Sequence, residues 1–141
     1  MVKAGRRQVA ALPFRVRKGQ LEILLVTSRE TKRWVIPKGW PMLHLKDYNA
    51  ARQEALEEAG VEGRVTRKRI GKYTYSKLQS TTGDRTLHVA VFAMEIKKIL
   101  RVWPEKHERK RQWFPAEEAI RAVNEPELRR LIHRFNKERG T

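Results

Sequence analysis

The sequence predicts an α/β fold of the α+β kind, in which helices pack on a central mixed β-sheet. Segments typical of strands outnumber helical ones, and their order is strands, one helix, strands and then helices. That order lacks the regular strand–helix alternation that a parallel sheet requires. The 141 residues have the size of one domain with one sizeable core. We therefore expect residues 1–141 to form a single domain.

The first two strands are predicted to form a hairpin. Residues 8–16 are rich in strand formers, and an apolar run at 21–28 follows a Lys-Gly-Gln turn. Pro13 has no amide hydrogen to donate to a neighbouring strand, so it predicts an edge position or a bulge. A short strand over 34–37 then ends at Pro37.

A helix is predicted over residues 48–59. Asp47 is suited to its N-cap, and Gly60 is suited to the left-handed position that follows a helix end. Small side chains recur four residues apart and predict one closely packed face: Ala51, Ala55 and Ala59.

The remaining elements continue the sheet and then cover it. Residues 61–77 indicate a strand, a kink at Gly71 and a second strand, and residues 86–96 form the most strand-like segment. Two helices are predicted over 115–123 and 125–135, the first with a proline at its favoured N-terminal position.

The charge of the chain predicts an anionic partner. Its 32 Lys and Arg residues exceed its 16 Asp and Glu residues, for a formal net charge of +16. A polyphosphorylated small molecule, nucleic acid or an acidic membrane surface would suit that charge, and a merely solvated basic surface is the alternative.

There is no cysteine, which excludes disulfides and thiolate zinc sites. We found no signal-peptide pattern and no apolar run approaching ~18 residues, so we expect a cytoplasmic protein without a membrane partner.

An acidic cluster stands out in this basic chain. Glu54, Glu57 and Glu58 lie three and four residues apart, and on a helix they share one face. Like charges at this spacing cost the helix a few tenths of a kcal/mol for each pair. A solvated helix face is one interpretation. The other is a divalent-cation site, since Mg²⁺ prefers carboxylate oxygens and commonly bridges to phosphates.

The stretch from Gly39 to Val61 resembles the Nudix box. That box runs Gly, five residues, Glu, seven residues, Arg-Glu, an aliphatic, any residue, Glu-Glu, any residue, Gly and an aliphatic. Two positions depart, with Leu45 in place of the first Glu and Gln53 in place of the Arg. The remaining positions match in residue type and spacing: Gly39, Glu54, Ala55, Glu57, Glu58, Gly60 and Val61.

The resemblance covers most of residues 7–123 and is strongest to the diphosphoinositol polyphosphate phosphohydrolase branch, through "AALPFR", "LLVTSRETKRWVIPKG", "DRTLHVAVFAMEI" and "RKRQWFPAEEAI". It implies a Nudix-type α/β/α sandwich and an Mg²⁺-dependent hydrolase of X–O–P–O–P bonds, with Mn²⁺ as the alternative ion. Its metal ligands would be Glu54, Glu57 and Glu58, with the backbone carbonyls of Lys38 and Gly39. Glu57 or Glu58, with Glu58 favoured, would polarise the attacking water.

The same resemblance implies a set of substrate-binding residues: Arg6, Arg7, Thr27, Ser28, Arg29, Arg85 and Arg109. Arginine suits phosphate because its planar fork bonds two oxygens at once. Weaker candidates near the site are His44, His88, His107, Glu105, Glu108, Trp40 and Trp103. For His88 the favoured role is packing within its strand.

Several functions fit this reading. The substrate would be highly phosphorylated, such as a diphosphoinositol polyphosphate or a dinucleoside polyphosphate. RNA 5′-pyrophosphate removal and nucleoside triphosphate pyrophosphatase activity are enzymatic alternatives. A Nudix-fold domain that binds nucleic acid without turnover is the alternative from another class. The sequence leaves monomer and dimer equally open.

Overall fold

The computed structural model describes residues 6–79 and 83–139, with the backbone alone at residues 77–79 and 83–85. Within these residues eight strands and three helices form a mixed sheet covered by helices, as the sequence predicts. In chain order they are β1 (Arg7–Arg17), β2 (Gln20–Thr27), β3 (Trp34–Val35), β4 (Lys38–Gly39), α1 (Asp47–Ala59), β5 (Val61–Val65), β6 (Gly71–Gln79), β7 (Gly83–Ile99), β8 (Arg111–Pro115), α2 (Ala116–Ala122) and α3 (Pro126–Arg139).

The sheet is built around β1 and β7, which run parallel to each other. Its main order is β3-β2-β1-β7-β5, while β4 pairs with β1, β6 with β7 and β8 with β2. Apart from the β1–β7 pair, these pairings are antiparallel. The pairing of β4 with β1 matters for function, because it fixes the segment that opens the motif against the centre of the sheet.

The predicted edge position of Pro13 is wrong. β1 has β7 on one side and, on the other, β4 near Val9 and Ala10 and then β2 from Phe14 onward. Pro13 lies between these two antiparallel partners, where the ladder passes from one strand to the next. The missing amide hydrogen is tolerated in a central strand because it falls at this change of neighbour.

Two hydrophobic layers lie on opposite faces of the sheet. On one face, α1 packs its alanine stripe on Val9, Phe92 and Met94. On the other face, α2 and α3 cover Leu12, Val91 and other core residues. The alanine side chains are fully buried, so α1 approaches the sheet closely and its opposite side remains available for polar groups.

Helix α1 follows its prediction except at its N-terminus. Lys46 takes the N-cap position without a side-chain bond, so the prediction of an Asp47 N-cap is wrong. The Asp47 carboxylate instead accepts a hydrogen bond from Arg7 at 2.5 Å. Gly60 ends the helix with φ 66° and ψ 41°, the left-handed conformation that its position predicts.

The two strands predicted within residues 61–77 are confirmed as β5 and β6, and Gly71 is the first residue of β6. Both pair with β7, and residues 66–70 connect them. β6 and β7 extend beyond the predicted bounds of 61–77 and 86–96, because each continues the other's ladder to Gln79 and Gly83. No helix in the described ranges is long and apolar enough to cross a membrane.

Candidate active site

The carboxyl groups of Glu54 and Glu58 meet on one face of α1. They are one turn apart, and each shifts the pKa of the other. Glu58 is buried, with 6% of its surface exposed, whereas Glu54 is half-buried. Burial, followed by the neighbouring Glu58 charge, raises the pKa of Glu54 to about 8. Burial also raises the pKa of Glu58, and Arg109 partly opposes that shift. Without a cation, this pair therefore retains a proton at neutral pH.

Strand β4 brings backbone against the acidic pair. A Cβ atom built on Gly39 would lie 2.3 Å from the Glu54 carboxyl carbon, so only glycine fits there with the present geometry. The Lys38 amide donates a hydrogen bond to Glu58 Oε1 at 3.3 Å. The Lys38 ammonium lies 5.0 Å from the centre of the Tyr75 ring, and burial lowers its pKa.

The third glutamate of the face is oriented by a neighbour on the same helix. Gln53 Nε2 donates a hydrogen bond to Glu57 Oε2 at 2.9 Å. This contact occupies one carboxylate oxygen and leaves the charge of Glu57 without a cationic partner in the described salt bridges. The charge of Glu57 also contributes to the raised pKa of Glu54.

Arg109 supplies the cation nearest to the pair. Its Nη2 lies 3.7 Å from Glu58 Oε2, its Nε donates to Glu105 at 2.7 Å, and its Nη1 donates to the Thr27 carbonyl at 3.0 Å. Because these three contacts are to groups of α1, the loop before β8 and the end of β2, Arg109 joins three elements beside the acids.

The loop of residues 100–110 and the start of β8 bind the C-terminal end of α1. Arg111 donates to the carbonyls of Ala59, Gly60 and Leu100, and its guanidinium stacks 3.8 Å from the Trp103 ring centre. Trp103 Nε1 donates to the Glu58 carbonyl, and the Glu105 amide donates to that of Glu57. The last carbonyls of the helix are thus satisfied by the segment that carries Arg109.

Comparison with known proteins identifies the family. The model of the NUDIX domain family matches residues 5–135, most of the chain. The chain belongs to the Nudix hydrolase family. "Nudix hydrolase 18, mitochondrial" of Arabidopsis thaliana is 36% identical over 124 residues, covering 82% of this chain and 68% of that protein. "Diphosphoinositol polyphosphate phosphohydrolase 3-beta" of Bos taurus is 30% identical over 120 residues, covering 84% of this chain and 69% of that protein.

A solved structure supports the fold. The binary complex of the Caenorhabditis elegans Ap4A hydrolase superposes with a TM-score of 0.68 at 18% identity, covering 94% of this chain and 96% of that one. At this identity the likeness concerns the fold, and it confirms the predicted Nudix-type sandwich.

The donor set of this Nudix domain fits a hydrated Mg²⁺ ion. Among the described residues, no three His, Asp or Glu side chains converge into a complete cage. Mg²⁺ needs none, since it usually keeps several waters and binds one or two carboxylates together with substrate phosphates. The half-buried Glu54 and the buried Glu58, whose charges repel each other, gain most from such a cation. The Lys38 and Gly39 carbonyls and Glu57 stay predicted ligands.

The two departures from the Nudix box lie in different surroundings. Gln53 takes over a supporting contact by holding Glu57. Leu45 is 43% exposed and lines a separate cavity at the N-terminal end of α1, away from the acidic pair. Neither substitution leaves a buried side-chain polar atom without a hydrogen-bond partner in the described part of the chain.

The predicted substrate residues after β2 lie beside the acidic face. The Thr27 hydroxyl accepts from the Lys110 amide at 2.9 Å, and the Ser28 hydroxyl contacts that of Thr31. Arg29 pairs with Glu108 at 3.0 Å on the surface. Since Arg109 donates a hydrogen bond to the Thr27 carbonyl, the end of β2 is linked through Arg109 to the acidic pair.

The remaining predicted substrate residues are placed differently. Arg6 is exposed just before β1, and Arg7 is joined to Asp47 at the opposite end of α1 from Glu58. The structure therefore does not bring Arg7 to the acidic pair. The side chain of Arg85 lies outside the described residues.

The weaker candidates divide into supporting and peripheral residues. Glu105 and Glu108 hold arginines, and Trp103 packs against Gly60. No hydrogen bond or ion pair joins His88 or Trp40 to the acidic pair among the described residues; His88 borders the separate cavity, and Trp40 is 46% exposed. Sequence reasoning missed three supports: the Gly39–Glu54 contact, the Gln53–Glu57 bond and the Arg111 cap. The box position of Gly39 was the only signal for the first.

Proposed function

We propose that this domain hydrolyses diphosphate bonds in a highly phosphorylated substrate, such as a diphosphoinositol polyphosphate or a dinucleoside polyphosphate, and that it requires Mg²⁺ or Mn²⁺. The observation that carries the proposal is the buried Glu54–Glu58 pair, which lies beside the cations of Lys38 and Arg109. A relative named as a diphosphoinositol polyphosphate phosphohydrolase supports this choice of substrate.

The division of labour follows from the surroundings of each side chain. Glu54 and Glu58 would hold the ion, and Mg²⁺ supplies charge neutralisation of phosphate oxygens and a lowered pKa of bound water. Glu58, one of whose oxygens accepts from the Lys38 amide, would take the proton of the attacking water. Glu57, held by Gln53, would orient the hydrated ion.

The basic side chains would stabilise the phosphate charge that develops during hydrolysis. Arg109 is fixed by Glu105 and the Thr27 carbonyl, so it needs no reorganisation when the substrate arrives. Arg29 is exposed and paired only at the surface, so it can exchange Glu108 for a phosphate group. A substrate with many phosphates uses both cations at once.

The test is a comparison of kcat/KM over four substrate classes with Mg²⁺: a diphosphoinositol polyphosphate, diadenosine tetraphosphate, a nucleoside triphosphate and 5′-triphosphate RNA. We expect the first two to be preferred. Preference for triphosphate RNA would indicate RNA 5′-pyrophosphate removal instead, and preference for the nucleoside triphosphate would indicate nucleoside triphosphate pyrophosphatase activity. If RNA affinity falls steeply with salt and no substrate is hydrolysed, the domain binds nucleic acid without being an enzyme.

Glu58→Gln is the matched active-site variant, because it keeps the shape and removes the charge. Glu62→Gln is its control, since Glu62 is exposed on β5 outside the site. Full activity in Glu58→Gln would contradict the proposed role of that carboxylate.

A further inference from the structure

A second cavity lies at the N-terminal end of α1, apart from the acidic pair. Its volume is about 630 Å³, within the range of small-molecule sites. None of Glu54, Glu57 and Glu58 lines it. Glu54 is seven residues beyond Asp47 at its rim, which is about 10 Å along the helix axis.

The cavity exists because the sheet extends beyond the helix that covers it. In β7, Val89 and Val91 join the core beneath α2 and α3, so the alternate residues His88, Ala90 and Phe92 face the α1 side. Phe92 packs under α1, but the helix starts too late in the chain to cover His88 and Ala90. The small side chain of Ala90 leaves the floor of the cavity deep.

The walls of this cavity are strongly basic. One acidic side chain, Asp47, lines it, and Arg7 already pairs with that carboxylate. Among the described residues, the other four cations take part in no salt bridge within 4.0 Å. The five cations come from β1, the loop before α1, the β5–β6 connection and β6: Arg7, Lys46, Arg67, Arg69 and Lys72.

We infer that this cavity binds a nucleoside phosphate, with the phosphates on the basic rim and the base on the floor. The charge excess selects a multiply charged anion, because three separate elements direct four cations to one concave surface without salt-bridge partners among the described residues. The floor of His88, Ala90 and Phe92, with Tyr48 beside it, offers a planar base apolar and aromatic contact that an inositol phosphate could not use. The nucleoside phosphate is either a free nucleotide or one residue of a single-stranded RNA.

The test is a calorimetric titration in EDTA, so that its outcome does not depend on hydrolysis. The probes are ADP, adenosine and inorganic pyrophosphate. We expect ADP to bind at least about tenfold more tightly than either part alone, a difference of about 1.4 kcal/mol. Absence of ADP binding, or equally tight binding of pyrophosphate, would overturn the inference.

Two variants separate the charge of the cavity from its shape. Arg69 is exposed, and the substitution Arg69→Glu should raise the Kd of ADP at least about tenfold. Ala90→Leu fills the floor, and should weaken ADP to a similar extent while leaving pyrophosphate within about twofold. Arg130→Glu, an exposed cation on α3 outside the cavity, is the control and should change neither. Unchanged ADP binding in Arg69→Glu would place the nucleotide elsewhere and refute the assignment, even if Ala90→Leu failed to fold.

The source of the nucleotide is settled by competition with a short oligoadenylate. If the oligonucleotide displaces ADP from the wild type and itself binds Arg69→Glu at least about tenfold more weakly, the cavity accepts a residue of single-stranded RNA. If it fails to displace ADP, the ligand is a free nucleotide. Both results support the site. An oligonucleotide that displaces ADP and binds Arg69→Glu as tightly as the wild type contradicts it.

Discussion

Replacing Glu54 by Gln should stabilise the protein without metal and abolish its stabilisation by Mg²⁺. Burial and the nearby Glu58 raise the pKa of Glu54 from 4.5 to about 8. The folded state therefore binds this proton more tightly than the unfolded state, and stability falls as pH rises from 4.5 to about 8. Above about pH 8 the loss is complete. Gln keeps the shape of the side chain and carries no charge, so the variant escapes this loss.

The magnitude follows from the size of the shift. Each tenfold change in proton affinity corresponds to about 1.4 kcal/mol, which gives an upper bound of about 5 kcal/mol for an unscreened group. Glu54 is only half-buried, and solvent screening reduces the expected gain to roughly 1–2 kcal/mol. Mg²⁺ requires the deprotonated pair, so its stabilisation of the wild type should be greater at pH 8 than at pH 6.

The assay is denaturant unfolding in EDTA and in Mg²⁺ at pH 6 and pH 8, with Glu62→Gln as the control. In EDTA at pH 8, Glu54→Gln should unfold at a higher denaturant concentration than the wild type, and Mg²⁺ should remove or reverse the difference. Equal stability of the two proteins in EDTA, together with no response of the wild type to Mg²⁺, would refute the account of the pair.

Two further substitutions test the supports of the site, and a third tests a contact between α3 and β6. Gly39→Ala should lower kcat at least about tenfold, because the new Cβ displaces the Glu54 carboxyl. The assay is steady-state kinetics with saturating substrate, and an unchanged kcat would contradict the importance of this contact. Arg111→Ala should lower the free energy of unfolding by about 2–3 kcal/mol, since it removes three hydrogen bonds to the carbonyls of Ala59, Gly60 and Leu100. A loss below about 0.5 kcal/mol in urea titration would contradict the cap. Glu127→Gln should remove stability at neutral pH. Hydrogen bonds from Thr74 lower the pKa of Glu127, so its contribution is present above pH 4.5 and is lost as pH falls through the lowered value; a wild-type advantage that persists in strong acid would disprove this.

The acidic helix could be predicted from the sequence because its signals are local. The spacing of the glutamates, the alanine stripe and Gly60 all act within a few residues of the chain, and the helix ends where they indicate. The Asp47 N-cap failed because a distant partner, Arg7, takes the carboxylate. Likewise, Pro13 looks unsuited to a central strand until the change from β4 to β2 is known.

The supports of the site required the fold. Arg109, in the loop before β8, and Arg111, at the start of β8, belong to a basic segment whose sequence resembles a solvated surface. Both guanidiniums nevertheless bind carbonyls of other elements. In the sequence, Gln53 only stands in place of the arginine of the Nudix box. Its hydrogen bond to Glu57 depends on the helical spacing together with the side-chain conformation. No pattern in the chain predicts the cavity above Ala90, because it results from the unequal lengths of α1 and β7.

The most direct test of the central claim is phosphate release from a diphosphoinositol polyphosphate by the wild type and by Glu58→Gln. We predict turnover by the wild type in Mg²⁺, none in EDTA, and a loss of at least about a hundredfold in Glu58→Gln at unchanged folding. Turnover that survives EDTA, or that Glu58→Gln retains in full, would show that the acidic face of α1 does not hold a catalytic metal ion.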